Sequence, residues 1–135
     1  MKANVVISRG KDERYQANMD YYEHLNFGLF GEGDSVEDTI ADFNVCVNDM
    51  KAMFTDEGKA FPEDLEFEFT YDIPSFLEYY SKKLSLAGLG RLTGINRKQL
   101  SHYLTGHRRP SPKTVKKIEK SLHAFGKEIS QVNFV

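Results

Sequence analysis

A short segment in the C-terminal half has the residue types and spacing of a surface that binds nucleic acid. From Arg97 to His102 the sequence is RKQLSH, in which Leu100 is the one apolar residue. If this segment is a helix anchored by Leu100, its remaining side chains face outward. Arg can form two hydrogen bonds with guanine, and Gln can do the same with adenine. The candidate DNA-contacting residues in this helix are therefore Arg97, Lys98, Gln99, Ser101 and His102.

A second basic segment follows directly. Residues 106–113 have the sequence GHRRPSPK, which predicts a loop followed by a helix that begins near Ser111-Pro112. Cationic loops and helix N-termini are suited to phosphate contacts. The candidate DNA-binding residues here are His107, Arg108, Arg109 and Lys113. Three further lysines, Lys116, Lys117 and Lys120, are more typical of the solvated face of the helix.

The elements around the two segments have the layout of a helix-turn-helix. From Ser85 to Gly106 the sequence is SLAGLGRLTGINRKQLSHYLTG, a short helix, a turn led by Gly94 and a second short helix. Gly94 can adopt the left-handed conformation that such a turn needs. We expect Gly90 to lie against a close neighbour and Ile95 to fill the angle between the helices.

Residues 73–127 resemble the lambda-repressor/Cro-like, or XRE-type, helix-turn-helix domain. The resemblance rests on LTGINRKQLSHYLTGHRRPSPKTVKKIEKSL, with its turn glycine, recognition helix, Gly-containing loop and following helix. The chain departs from the family in having Leu86-Ala87 where many members have a phosphate-binding Gln. The resemblance implies an all-α domain that binds double-stranded DNA. A lone helix-turn-helix of this size reads only a few base pairs, so useful affinity implies a homodimer or higher oligomer on a palindromic operator. Its half-sites would be about one helical turn apart.

The end of the chain is the candidate dimerisation region. Val115, Ile118, Leu122 and Phe125 have the spacing of an apolar stripe on a fourth helix, which we expect to end near Phe125. The tail from Glu128 to Val135 is predicted to be extended, as a last strand that could be exchanged between subunits.

Charge divides the chain into two parts. Residues 1–72 contain six Lys/Arg and seventeen Asp/Glu, a net charge of −11, and residues 73–135 contain twelve and three, a net charge of +9. Such a division indicates two different electrostatic tasks, because a basic half suits a polyanion and an acidic half would repel one. We therefore predict two domains, an acidic one over 1–72 and a basic one over 73–135.

The N-terminal half is predicted to be β-β-β-α-β, so the whole chain belongs to the α+β class. The three strands are Asn4–Arg9, the segment from Tyr15 to Met19 and the apolar run Phe27–Phe30. Residues 31–35 then form a turn and a helix cap. The apolar stripe of the helix is Val36, Ile40, Phe43, Val47, Met50 and Phe54, and alternation from Leu65 to Tyr71 predicts the last strand.

This half is similar to the HicB antitoxin family. The resemblance rests on LFGEGDSVEDTIADF at the junction of strand and helix, and on the order of the two domains. HicB proteins join a degenerate RNase H-like domain to a DNA-binding domain. The resemblance implies that the first domain binds and blocks a small, basic HicA-like toxin that cleaves mRNA, and that the second represses the promoter of the pair. The alternative is a stand-alone repressor whose N-terminal domain senses a small molecule.

Catalytic and cofactor functions find little support. The first strand, NVVISR, lacks the Asp that an RNase H-like nuclease needs, and Glu66 and Glu68 alternate with the core face. The four histidines and Cys46 lack metal-ligand spacing, and Gly31-Glu32-Gly33 lacks the Lys-Ser/Thr of a phosphate loop. We expect no enzyme activity, no metal and no cofactor. One cysteine and the absence of a long apolar segment favour a cytoplasmic protein that does not enter a membrane.

Overall fold

Alternating apolar residues near the start of the chain form a central strand of a four-stranded sheet. The structure, a computed structural model, describes residues 1–135. They divide into two compact units, Met1–Asp72 and Ile73–Val135, and the division falls where the sign of the charge changes. No helix of the chain combines the length and the apolar character that crossing a membrane requires.

The first unit has the predicted order β-β-β-α-β. Its elements are β1 (Lys2–Arg9), β2 (Tyr15–Met19), β3 (Phe30–Gly33), α1 (Val36–Asp56) and β4 (Glu66–Tyr71). The strand order in the sheet is β3-β2-β1-β4. The first three strands are antiparallel neighbours, whereas β4 is parallel to β1 because α1 carries the chain across the sheet.

One face of the sheet packs on α1. Val5, Ile7 and Phe43 are fully buried between the two layers. The ring of Phe43 contacts Phe67 and Phe69 of β4 edge to face, with centroids 5.2 and 5.5 Å apart. Burial of each large apolar side chain contributes about 1.5–3 kcal/mol, so these contacts hold β4 and α1 together.

The prediction for the third strand is wrong in its position. We expected Phe27–Phe30, with the following glycines in a turn, but β3 is Phe30–Gly33. A Cβ atom at Gly31 would lie 2.5 Å from the backbone nitrogen of Phe43, and one at Gly33 would lie 2.8 Å from that of Thr39. The glycines therefore allow α1 to approach the strand closely. Phe27 instead packs on Phe54, with ring centroids 5.4 Å apart.

The prediction for α1 is confirmed. Ser35 is the N-cap, and its Oγ accepts a hydrogen bond of 3.0 Å from the backbone N–H of Asp38. Of the predicted stripe, the structure buries Val36, Phe43 and Val47 and half-buries Ile40, Met50 and Phe54. Thr39 is also buried, with its hydroxyl donating to the carbonyl oxygen of Ser35 at 2.7 Å.

The second unit is all-helical. Its helices are α2 (Ile73–Tyr80), α3 (Leu86–Thr93), α4 (Arg97–Leu104) and α5 (Pro112–Ser130). Leu77, Leu89, Leu100 and Tyr103 form a buried cluster, with the partly buried Ile95 packed against it. The helices α2 and α3 therefore each contribute one side chain to a shared core, and α4 contributes two.

The prediction of an extended tail is also wrong. We expected residues 128–135 to form a strand, but α5 continues through Ser130, and the five residues after it form no strand. The apolar stripe continues past Phe125 to Ile129 at the helical spacing, and no proline interrupts it. A dimer formed by strand exchange at this end therefore has no basis in the fold.

Candidate nucleic-acid interface

The turn between α3 and α4 is fixed by short-range contacts. Gly94 ends α3 in the left-handed conformation, with φ of 71°. A Cβ atom at Gly90 would lie 2.9 Å from the carbonyl oxygen of Ile95, so only glycine allows the turn to approach α3 this closely. The expectation of a close neighbour at Gly90 is confirmed.

Thr93 strengthens the same turn. Its hydroxyl donates to the carbonyl oxygen of Leu89 at 2.7 Å and accepts from the backbone N–H of Ile95 at 3.2 Å. The residue is buried, so both bonds are shielded from water. Thr93 is therefore a positioning residue that was absent from the sequence-based predictions.

The orientation of α4 follows from its cap and its anchors. The side chain of Asn96 accepts a hydrogen bond of 2.7 Å from the backbone N–H of Lys98, which caps the helix. Leu100 and Tyr103 are buried and anchor the inner side of α4 to the core. Asn is a preferred cap residue, so the position of Asn96 before RKQL was a signal that could have identified it.

The predicted DNA-contacting residues of α4 lie on its outward side to different degrees. Arg97 and Lys98 are exposed, whereas Gln99, Ser101 and His102 are half-buried. The amide nitrogen of Gln99 donates to the hydroxyl oxygen of Tyr103 at 3.1 Å. The amide nitrogen has a second hydrogen, so this bond leaves that hydrogen and the amide oxygen of Gln99 available for a base.

The loop after α4 joins its outward face. The ring centroids of His102 and His107 are 4.9 Å apart, and the backbone N–H of Arg108 donates to the carbonyl oxygen of His102 at 3.1 Å. Gly106 adopts the left-handed conformation, with φ of 77°, and so allows the loop to turn back toward α4. His107, Arg108 and Arg109 are exposed. The α4 residues and the loop residues are thus neighbours on one surface.

The surroundings of His102 perturb the titration of its ring. Its Nδ1 atom is buried and lacks a hydrogen-bond partner. Burial lowers the pKa of His102 below its ordinary value of 6.5, and the charges of His107, Arg108 and Lys98 act in the same direction. The ring is therefore neutral near pH 7.

The start of α5 follows directly after the basic loop. Ser111 caps the helix by accepting a hydrogen bond of 3.2 Å from the backbone N–H of Thr114, and Lys113 is exposed in the first turn. Lys117 lies beside the turn between α3 and α4, because a Cβ atom at Gly94 would be 3.6 Å from its Nζ atom. Lys117 is exposed, as expected for the solvated face of the helix, and it also lies beside this turn.

The basic residues of this surface have no anionic partners within the protein. Five of the predicted residues are permanently or largely cationic, and none of them forms an ion pair: Arg97, Lys98, Arg108, Arg109 and Lys113. A group of cations without anionic partners creates a positive potential that attracts a polyanion.

Comparison with known proteins agrees with this geometry. Residues 77–123 match the family model HTH_3, described as Helix-turn-helix, and this segment contains α3, α4 and the turn between them. No curated protein and no solved structure matches the chain. The second unit therefore contains an XRE-like helix-turn-helix domain, which is a class of domain that binds DNA and regulates transcription.

Proposed function

We propose that the chain is a repressor that binds an operator through the outward face of α4. The observation that carries this proposal is the exposed, unpaired Arg97 and Lys98 at the N-terminus of a helix anchored by Leu100. In helix-turn-helix domains, the N-terminal residues of the recognition helix meet base edges in the major groove. Arg97 would bind guanine, with Lys98, Gln99, Ser101 and His102 beside it.

The loop and the start of α5 would hold the phosphate backbone. His107, Arg108, Arg109 and Lys113 are exposed and lie outside the recognition helix. Contacts of this kind fix the position of a protein on DNA without distinguishing between sequences.

Useful affinity for an operator implies two copies of the domain on a palindrome. The apolar stripe of α5 supports a homodimer, because Ile129 continues it within the helix and is 52% exposed. Exposed apolar side chains at the spacing of a helical stripe are typical of association surfaces. Sedimentation of the full chain would test this proposal, which fails if the protein remains a monomer at micromolar concentration.

For the first unit, we propose a HicB-like antitoxin role, with a partial RNase H-like fold that binds a basic HicA-like toxin. The β-β-β-α-β order and the net charge of −11 support it. Complementary charge accelerates and orients association. Glu66 and Glu68 lie on the exposed face of β4, which favours stoichiometric binding over catalysis.

Co-expression tests the two halves of the proposal separately. The tagged chain is expressed with the reading frames that flank its gene, and its binding to the DNA upstream of that gene is measured. We expect a small basic protein, toxic when expressed alone, to co-purify in a fixed ratio. If the chain purifies alone but binds its upstream DNA, the repressor proposal stands and the antitoxin proposal fails.

A small-molecule sensor is the second candidate for the first unit. An open groove of about 540 Å³ lies between residues 24–28 and the C-terminal part of α1, lined in part by Phe27, Met53 and Phe54. Its volume is in the range of small-molecule sites. Such sites enclose most of the ligand surface, whereas this groove is open. A ligand that raises the melting temperature of the protein and alters DNA binding would favour this candidate.

A further inference from the structure

The two edges of the sheet differ in how they are protected. At the β3 edge, the backbone N–H of Glu32 donates to a carboxylate oxygen of Asp42 in α1 at 2.8 Å. This side-chain contact occupies a donor that another strand would need. Proteins commonly protect strand edges in such ways, because unpaired backbone groups at an edge can pair with another chain.

The β4 edge lacks an equivalent contact. The backbone N–H of Glu66 donates to the carbonyl oxygen of Met1 at 2.9 Å, so Glu66 faces β1. In a parallel ladder, every second residue faces the same neighbour. The backbone groups of Phe67 and Phe69 therefore point to the open edge, since β4 pairs with β1 alone.

The strand at the open edge is anchored to the core of the first unit. The side chains of Phe67 and Phe69 pack on Phe43, which is fully buried. A strand fixed in this way loses little conformational freedom when another strand pairs with it. The edge is therefore prepared for an additional strand.

The negative charge around β4 indicates which kind of strand could pair with its open edge. Residues 60–72 contain five Asp/Glu and no Lys/Arg, and Glu66 and Glu68 are exposed on one face of the strand. A second copy paired antiparallel through β4 would bring these carboxylates near one another, and like charges across a strand pair are destabilising. An extended segment with Lys or Arg at alternating positions would place opposite charges there.

We propose that the free edge of β4 is the docking site for an extended segment of a basic partner protein, which would pair with β4 as a fifth strand. The identity of that partner rests on the proposed antitoxin function, whereas the strand pairing does not. Backbone hydrogen bonds would supply affinity, and the cations facing Glu66 and Glu68 would supply specificity.

Amide exchange measured by NMR tests the proposal on the full chain. The probe is a peptide of about ten residues, the length of a long strand, with alternating lysine and valine. Its matched control alternates glutamate and valine. We expect the lysine peptide to slow exchange at the amides of Phe67 and Phe69 about tenfold, and the glutamate peptide to leave it unchanged.

Two double variants with equal changes of charge complete the test. Glu66→Lys with Glu68→Lys should abolish the protection, whereas Asp49→Lys with Asp56→Lys on α1 should preserve it. The proposal is overturned if saturating peptide leaves Phe67 and Phe69 unprotected, or if both double variants behave alike. Protection that grows with protein concentration in the absence of peptide would indicate self-pairing and would also overturn it.

Exchange at the amides of Phe67 and Phe69 also distinguishes failure of this proposal from failure of the antitoxin proposal. A co-purified partner that leaves Phe67 and Phe69 unprotected would refute the docking site while supporting the antitoxin function. Peptide binding at β4 with no co-purified toxin would give the opposite result.

Discussion

The imidazole rings of His102 and His107 lie 4.9 Å apart, and Nδ1 of His102 is buried without a hydrogen-bond partner. The pKa of His102 is lowered, first by burial and then by the neighbouring positive charges. The folded state therefore binds a proton at this ring less readily than the unfolded state does. Stability of the second unit should fall as the pH decreases through 6.5 toward the lowered pKa.

Titration of the His102 ring by NMR checks this expectation. We expect a midpoint below that of an unfolded control peptide, and His102→Gln should reduce the loss of stability at acidic pH. Operator DNA should raise the pKa of His102, because nearby phosphates favour the charged ring. An unchanged midpoint in the complex would place His102 away from the DNA.

Replacement of Gly90 tests the packing of the turn. Gly90→Ala should destabilise the second unit by about 1–3 kcal/mol, because the added methyl group meets the carbonyl oxygen of Ile95. Gly126→Ala in α5 is the matched control. Apart from its chain neighbours and the backbone of its own helix, no atom lies within 4 Å of its added Cβ, so it should stabilise the protein by up to about 1 kcal/mol. Thermal unfolding of both variants measures the difference, and equal melting temperatures would contradict the steric argument.

Arg97 and Lys113 should differ in what they contribute to DNA binding. Arg97→Ala should weaken operator binding by about 1–3 kcal/mol and relax specificity at one base pair. Lys113→Ala should weaken binding to all sequences alike and reduce the dependence on salt by about one phosphate contact. Binding titrations with operator and unrelated DNA at several salt concentrations distinguish the two. Equal loss on both DNAs for Arg97→Ala would make it a phosphate contact.

The cap of the recognition helix offers a further test. Asn96→Ala should cost about 1 kcal/mol of stability, because the hydrogen bond from the N–H of Lys98 is lost. Asn96→Asp keeps an acceptor at this position and should restore most of the loss. Chemical denaturation measures both variants, and a destabilised Asn96→Asp would assign the residue another role.

Gly31 tests why the third strand differs from its prediction. Gly31→Ala should destabilise the first unit by at least about 1–3 kcal/mol, since its Cβ would lie 2.5 Å from the backbone of α1. Gly28→Ala should be tolerated, because no atom other than those of its chain neighbours lies within 4 Å of the added Cβ. If both substitutions are tolerated, close approach of helix and strand does not explain β3.

The elements most accurately predicted from sequence were those with local signals. Ser35, Ser85 and Gly94 begin or end their helices as their types suggest, since caps depend on a few neighbouring backbone groups. The alternation in β4 was equally clear. For the candidate site, the same local signals predicted the recognition helix and its exposed Arg97 and Lys98.

By itself, the sequence determined the class of each half, the helix-turn-helix boundaries and the opposite charges of the two units. Tertiary structure decided which role each glycine has, because Gly31 and Gly33 resemble turn residues until α1 is placed against them. It also decided that β4 lies at an open edge and that Nδ1 of His102 is buried. These features depend on contacts between residues distant in the chain or on three-dimensional packing, which residue types and spacing do not specify.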